Sequence, residues 1–530
     1  MIFSTPMLVA LGAVWLATAA LEYIEHLYAL QLKEYRWDRL SDYFHSHEGH
    51  AKLLEYTYLW RVIWIIIVYG FLSHWFSLEV IIAIVVLTDL LALVMRKQRR
   101  GLSRPVFTMK VTLLLLLALL FEGSIILLSV SDTTIAPLLS ARFLIAFAAL
   151  AVIGVPSKIT KWAIVKLATK KIKRASQLRV IGITGSYGKT TTKEFLSEIL
   201  GKNFKVIKTP KNINADIGIA LFILRTSFAD ADIFVVEMGA YRMGEIKIIS
   251  DMVGPEIGVL TAINEQHLAL FKTVENTTKT KYELLQSLPE DGLAVVNADN
   301  PHCMSLIDSV KAKKALFGFD SDHDPRLHIV DIKVKDQELK FQYTLYKESH
   351  ILAAPVMGEH IAMNIAPCVI VADHLGMSQQ EITQAVSELS IPEIVLTTYM
   401  YGSAIILDDS YNSNPDGFKA ALTILSSYPS SKHRIVITRG MLELGDRSDE
   451  LHEEVAGAIA FSADELILIK NEYEEPMKRG LVGKYNTEMQ VIDTDLTLMT
   501  YVKSLYSKDV VVLLENRLYP LTLKEIRKDK

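Results

Sequence analysis

The sequence predicts a molecule in two parts, an α-helical membrane half and then an α/β half in which a parallel sheet carries a phosphate-binding loop and a smaller α/β domain follows. Three observations predict this. Long apolar runs dominate before about Lys158, and beyond about Gln177 short apolar strands alternate with polar, helix-forming segments. One glycine-rich turn, TGSYGKTTTKEF (Thr184 to Phe195), sits where a buried-type strand gives way to a helix.

In the first part five segments approach the ~20 apolar residues that cross hydrocarbon. They are Met7–Tyr23, Tyr58–Leu72, Leu78–Met95, Val111–Val130 and Leu138–Val155. Basic residues crowd alternate connections: Lys33, Arg36, Arg39 and Lys52, then Arg96, Lys97, Arg99, Arg100, Arg104 and Lys110. The turns at Ser73–Ser77 and Ser131–Thr134 have none, so the positive-inside rule puts the amino terminus outside and everything after the fifth span in the cytoplasm. A basic linker over 158–176, with Lys158, Lys161, Lys166, Lys170, Lys171, Lys173 and Arg174, suits anionic headgroups. Arg61 and Glu122 are the ionisable residues noted within the spans, and HSHEGH (His45, His47, Glu48, His50) lacks HExxH spacing and reads as a solvated face.

Whole-chain properties bound the rest. The length of 530 residues allows several domains, and the net charge of −4 supplies no basic field for nucleic acid. Cys303 and Cys368 lie far apart without metal-ligand companions and read as buried thiols in a reducing compartment.

In the second part LRVIGITG is a strand and KTTTKEFLSEIL a helix with one apolar face, so the turn between them has the context a phosphate loop needs. Backbone N–H groups from Gly185 through Ser186, Tyr187 and Gly188 to Thr190 and Thr191 can cradle phosphates. Lys189 can reach the β/γ oxygens, and the Thr190 hydroxyl can hold Mg²⁺. Ile183 stands where a general phosphate loop has its first glycine. Later strands end in polar residues, as ligand-binding open sheets do: Glu237, then Asn264 with His267 just past it, then Asn297, Asp299 and Asn300.

The ordered set TGSYGKTTTKE, KNINADIG, VVEMGA, INEQHL, KTKYELL, GEHIAMNIA, DDSYNSNPDGFKAAL and GMLELGDRSDELH resembles the Mur ligases, most closely the MurF type, from about Arg179 to the end. The resemblance implies a central ATP-binding domain at 177–390 and a Rossmann-like C-terminal domain at 391–530, behind a membrane domain at 1–157. It implies that Lys189 and Thr190 bind ATP and its magnesium, that Glu237 ligates the same ion, and that His267 binds a second. Lys281 falls where the family has a carbamoylated lysine. Thr209, Asn212 and Asn214 match a substrate-facing loop, Asn364 an asparagine near the adenine, and Asp409, Tyr411, Asn412 and Asn414 a nucleotide-facing loop.

The implied reaction is ATP-dependent amide formation through an acyl phosphate, joining an amino acid or dipeptide, D-Ala-D-Ala in the MurF type, to a cell-envelope precursor. The acceptor is UDP-linked or, with helices replacing the usual head-binding domain, lipid-linked. Departures fall at Ile361, where the family has Asn, at Arg439-Gly440, and at LLENRLY (Leu513–Tyr519), which replaces a Lys-Gly-Ser-Arg segment. The last two touch the domain that presents the amine. Two rival readings stay open: a membrane-anchored ligase of another polymer, of poly-γ-glutamate type, and a membrane NTPase or transporter, which would need neither Lys281 nor the last domain.

Overall fold

The computed structural model describes residues 5–32, 35, 105–128, 132–264, 271–319, 322–335, 338–356, 358–390, 396–410, 413–441, 444, 447–481 and 487–529, with scattered positions between 80 and 95. The chain divides into two compact units, Met1–Trp162 and Ala163–Lys530.

In the first unit lie helices α1 (Thr5–Leu32) and α2 (Met109–Leu128) and the first part of α3 (Asp132–Arg174). Ala19, Ala118, Ala146 and Ala149 are buried with Trp15, Tyr23, Leu27 and Leu114, small residues allowing close helix approach. A charged cluster the sequence reading did not assemble lies among them. Arg142 Nε and NH1 donate to Glu122 and Glu22, each at 3.0 Å, while Trp15 Nε1 and Tyr23 OH donate to the two Glu122 oxygens at 2.6 and 2.7 Å. Burying such charges is tolerable because each has a partner.

The five expected spans are not shown by this unit. Among the described residues no helix is long and apolar enough to cross a membrane. Tyr58–Leu72, most of Leu78–Met95 and HSHEGH fall outside the described residues. The expected linker is also corrected: 158–174 is helical within α3, because Lys, Ala, Leu and Ile favour helix and neither Gly nor Pro interrupts residues 157–174. From Ala163 onward this helix belongs to the second unit, where Ala168 and Ile172 are core residues and Lys171 Nζ donates to Leu224 O at 2.9 Å.

The second unit holds two sheets. In the larger, the order is β2-β3-β1-β4-β5-β6-β7-β8-β9. Strands β1 (Arg179–Thr184), β2 (Val206–Lys208), β3 (Ile233–Glu237), β4 (Ile257–Leu260), β5 (Leu293–Asn297) and β6 (Lys313–Gly318) run parallel. The sheet is not parallel throughout, however. After a short parallel pairing with β6, β7 (Leu327–Lys335) pairs antiparallel with β8 (Glu338–Leu345), and β8 with β9 (Glu348–Ala354), an arrangement that needs no crossover helix.

Both faces of the parallel part are covered, which explains its continuous apolar strands. Ile181, Ile183 and Val235 face α4 (Lys189–Leu200), and Val180, Phe234 and Val236 face the side covered by α5 (Asp216–Arg225), α6 (Glu245–Val253) and α7 (Val274–Gln286). Gly182 allows close packing, since a Cβ there would stand 2.7 Å from Leu284 Cδ1 and push that side chain aside. Helices α8 (Ala362–His374) and α9 (Gln379–Ser387) complete the α4 side.

The smaller sheet has the order β10-β11-β15-β12-β13-β14. It comprises β10 (Thr397–Tyr401), β11 (Ala404–Asp409), β12 (His433–Thr438), β13 (Glu465–Ile469), β14 (Glu488–Ile492) and β15 (Val510–Glu515), parallel except for β10. One face packs on α10 (Pro415–Ser426), α11 (Ser448–Ser462) and α12 (Glu474–Leu481). The other packs on α13 (Asp495–Leu505) and α14 (Pro520–Ile526). Cys303 and Cys368 are free and buried, as expected.

Candidate active site

The turn after β1 is built on two glycines that admit no side chain. At Gly185 a Cβ would lie 2.0 Å from Thr261 Oγ1, and at Gly188, with φ of 78°, it would lie 2.4 Å from Asn364 Oδ1. The end of β4 ties the loop down: Ser186 N donates to Ala262 O at 2.6 Å, Thr261 Oγ1 to Tyr187 O at 2.5 Å, and Asn264 N to Ser186 Oγ at 3.1 Å. Lys189 Nζ folds back onto Gly185 O (2.6 Å) and Ser186 O (2.8 Å). Burial lowers the Lys189 pKa and the Glu237 charge pulls it back up.

Strand β3 delivers Glu237 beside the start of α4. Its Oε1 accepts from Thr190 Oγ1 at 3.0 Å and Asn214 Nδ2 at 3.1 Å, and its Oε2 accepts from Lys193 Nζ at 3.1 Å. Thr209 Oγ1 accepts from Glu237 N at 3.0 Å. Thr209 and Asn214, expected on a substrate loop, therefore also hold Glu237, while Asn212 adopts a left-handed φ of 66° between them. A hydroxyl and a carboxylate meeting at the amino end of a helix, next to a glycine loop, fit a magnesium-bound triphosphate.

A cavity of about 380 Å³ opens in front of this loop. Its floor is Ser186 to Thr191, with Asn297, Asp299 and Asn300 from the end of β5. His360, Ile361, Met363 and Asn364 form a second wall, and Leu396, Asp409, Asn414 and Gly417 bring in the smaller sheet's domain. Asn264 Nδ2 donates to Asp416 Oδ2 at 3.0 Å across the same gap. Glu237 and Lys281 are not in the cavity wall.

Lys281, an exposed lysine on the plainest reading of its helix, is only 2% exposed. Burial, and then the charge of Lys189, bring its pKa down to about 7, so a large share of the amine is neutral near pH 7. His267, Tyr411 and Asn412 fall outside the described residues. Among the described residues no three His, Cys, Asp or Glu side chains form a metal cluster.

The smaller sheet contributes features that motif reading missed. Arg527, just past α14, donates through Nε and NH2 to the two oxygens of Asp408 (2.8 and 3.1 Å) and through NH2 to Ser410 Oγ (2.9 Å). Beside this clamp, Asp409 and Glu515 are register neighbours on β11 and β15. Burial and then Asp408 raise the Asp409 pKa to about 7, and burial and then Asp409 hold Glu515 well above the usual carboxylate range. Ser413 Oγ donates to Glu515 Oε1 at 2.6 Å. Near Arg439-Gly440, His452 Nε2 accepts from Met441 N at 2.9 Å and its ring stacks on Tyr473. In the sequence Asp408 and Asp409 stand in the DDSYN motif and Arg527 lies 118 or more positions away, so spacing does not say what they touch.

Residues 183–372 match the Mur ligase middle domain, and residues 393–514 match the Mur ligase glutamate ligase domain. Among curated relatives, the UDP-N-acetylmuramoyl-tripeptide–D-alanyl-D-alanine ligase of Bacillus subtilis is 29% identical over 53% of this chain and 60% of its own length. The enzyme of the same name from Escherichia coli is 26% identical over 61% of this chain and 71% of its own. The chain thus spans about 60% of the length of the first of these relatives. Among solved structures, the MurF ligase of Thermotoga maritima in complex with ADP aligns with a TM-score of 0.61 at 24% identity, covering 70% of this chain and 84% of that one. A MurF from Acinetobacter baumannii gives 0.62 at 24% identity, covering 69% and 79%.

Proposed function

From a chain that carries the middle and C-terminal domains of the Mur ligase family, we propose an ATP-dependent amide ligase of cell-envelope precursor synthesis that joins an amine, D-Ala-D-Ala or a close relative, to a muramoyl-peptide carboxylate. The observation that carries this reading is the cavity where the Ser186–Thr191 loop meets Asp409 and Asn414 of the second domain. A nucleotide held there touches both domains, so domain closure and phosphoryl transfer are coupled.

The substrate carboxylate attacks the γ-phosphoryl group in line, ADP leaves, and an acyl phosphate forms. The amine then attacks the acyl carbon, phosphate departs, and the amine's surplus proton is released. Backbone amides of the loop and Lys189 stabilise charge on the transferring group. Thr190 and Glu237 would hold Mg²⁺, which supplies charge neutralisation when bound. His267 and a carbamoylated Lys281 would hold a second ion; the buried, partly neutral Lys281 amine supports CO₂ capture because only the neutral amine is nucleophilic.

The first unit is proposed as a multi-pass anchor that keeps the catalytic domains at the cytoplasmic face. The long apolar runs and the alternating basic connections support it. The same placement brings a lipid-linked acceptor within reach. The test is ADP release and product mass by detergent-solubilised full chain, compared with a chain starting at Ala163, on UDP-linked and lipid-linked muramoyl peptides. A start at Gln177 would strip Ala168 and Ile172 from the second unit's core. Expected is amide formation with D-Ala-D-Ala, and loss of the lipid-linked activity alone in the shortened chain. ADP release without amide product on any acceptor would favour the NTPase reading, and equal rates on every acceptor would leave the helices as an address.

A further inference from the structure

Lys193 lies one helical turn beyond Lys189 on α4, with 0% of its surface exposed. An ammonium removed from water in this way costs several kcal/mol unless anions face it. Two do: Glu237 Oε2 at 3.1 Å and Glu194 Oε1 at 3.3 Å. Glu194 in turn pairs with Lys208, next to Thr209. Lys193 thus binds one oxygen of the carboxylate whose other oxygen meets Thr190.

The charge balance follows. Glu237, which accepts from Thr190, pairs with Lys193 and also acts on Lys189, while Lys193 and Lys208 share Glu194. Glu237, the carboxylate placed to reach a divalent ion, has its charge offset before any ligand arrives. The loop therefore attracts polyanions and gives a free divalent cation little reason to settle. Phosphate oxygens reverse that balance, since they bring the negative charge that a cation needs.

We propose that Lys193 is a positioning and selectivity residue: it neutralises and orients Glu237 so that the Thr190–Glu237 site takes a divalent cation only as its nucleoside-triphosphate complex. The proposal rests on the ligase reading only in assigning Thr190 and Glu237 to the nucleotide's metal. It uses neither acceptor nor amine, so failure of ligation on every acceptor would undo that reading without touching the result below.

The test is equilibrium titration of the full-length protein with Mn²⁺ alone, followed by electron paramagnetic resonance at pH 8, and repeated with a non-hydrolysable ATP analogue. Without nucleotide, E237Q should titrate like the parent, because Glu237 gives free metal no net charge. Lys193→Met should strengthen Mn²⁺ binding without nucleotide at least tenfold. Lys193→Gln, which retains a hydrogen bond without the charge, should do the same even if the methionine variant folds poorly. Lys193→Arg should behave as the parent, and the gain should vanish in K193Q/E237Q. An unchanged Mn²⁺ titration in K193Q, or a gain that survives E237Q, overturns the proposal. Circular dichroism of each variant accompanies the titration, because an unfolded chain exposes carboxylates that also bind Mn²⁺, and only the site-specific gain disappears in K193Q/E237Q.

Discussion

The carboxyl ends of the two sheets meet at one cavity but are built on opposite electrostatic plans. At the larger sheet, each carboxylate beside the phosphate loop has a cation or donor in place: Glu237 has Lys193, Thr190 and Asn214. At the smaller sheet three acids crowd together, Asp408, Asp409 and Glu515, and one arginine, Arg527, serves the first of them. The first end is ready for a polyanion. The second favours the protonated forms of Asp409 and Glu515, and it holds Asp408 with one clamp from near the end of the chain. The glycine loop and its lysine are therefore encoded locally, in one turn and helix, while the smaller sheet's end depends on residues more than one hundred positions apart.

The sharpest break in that comparison is at Lys189. Lys189→Ala removes the cation nearest the phosphates, and ligation should fall by at least about 10³-fold, with the fold intact by circular dichroism because the side chain caps a formed loop. Retention of ligation by this variant and by Glu237→Ala and His267→Ala would place the chemistry elsewhere.

Next in size is Lys281. Lys281→Ala should lose most ligation and recover part of it when a small carboxylic acid is supplied in the buffer, the acid standing in for a carbamate. In CO₂-free buffer the sign of its pH dependence is fixed. The folded pKa near 7 lies below the ordinary 10.5, so the unfolded chain carries the extra proton between those values and stability rises with pH across that window. Lys281→Met should flatten the rise in thermal midpoint. Absence of both rescue and flattening would leave Lys281 a plain packed lysine.

Arg527→Met tests the opposite end. It leaves the buried Asp408 without its two-pronged partner, and since the guanidinium is 41% exposed we expect a loss of about 1–3 kcal/mol in denaturant unfolding. The Michaelis constant for ATP should rise, because Asp408 and Ser410 flank Asp409, which lines the cavity. A fall in stability with unchanged ATP dependence would make the clamp purely structural.

The same comparison explains what the sequence made legible. The strand–loop–helix at Thr184–Phe195 was readable because glycine spacing, apolar period and helix start fall within a dozen residues. Glu237, Asn297 and Asn300 were readable as polar ends of apolar strands, and Asn364, Asp409 and Asn414, singled out from separate motifs, line one cavity. Hidden were contacts whose partners are distant in the chain: Arg142 with Glu22, Arg527 with Asp408, and Asp409 with Glu515. Lys193 was hidden differently. It stood inside the quoted motif, and only its burial on α4 shows that it serves Glu237. The antiparallel β7–β9 was missed because its alternating strands lack the glycine-rich punctuation that marked the rest.

The smallest expected effect lies at Glu515→Gln, and it turns on sign rather than size. Among the described residues the Oε2 of Glu515 has no hydrogen-bond partner. Burial and the neighbouring Asp409 hold its pKa well above 4.5, so the folded chain keeps a proton that the unfolded chain releases. Stability should therefore fall as pH climbs from about 4.5, and Asp409 should add its own fall between 3.8 and about 7, levelling off where the folded Asp409 loses its proton. Glutamine has the shape of the protonated acid and nothing to ionise. At pH 5 the variant should unfold within about 0.5 kcal/mol of the parent, and at pH 8 it should be the more stable of the two. Thermal midpoints at the two pH values decide it. A parent more stable than E515Q at pH 8 would mean that Glu515 is an ionised, paired carboxylate, and that the second sheet's end is balanced like the first.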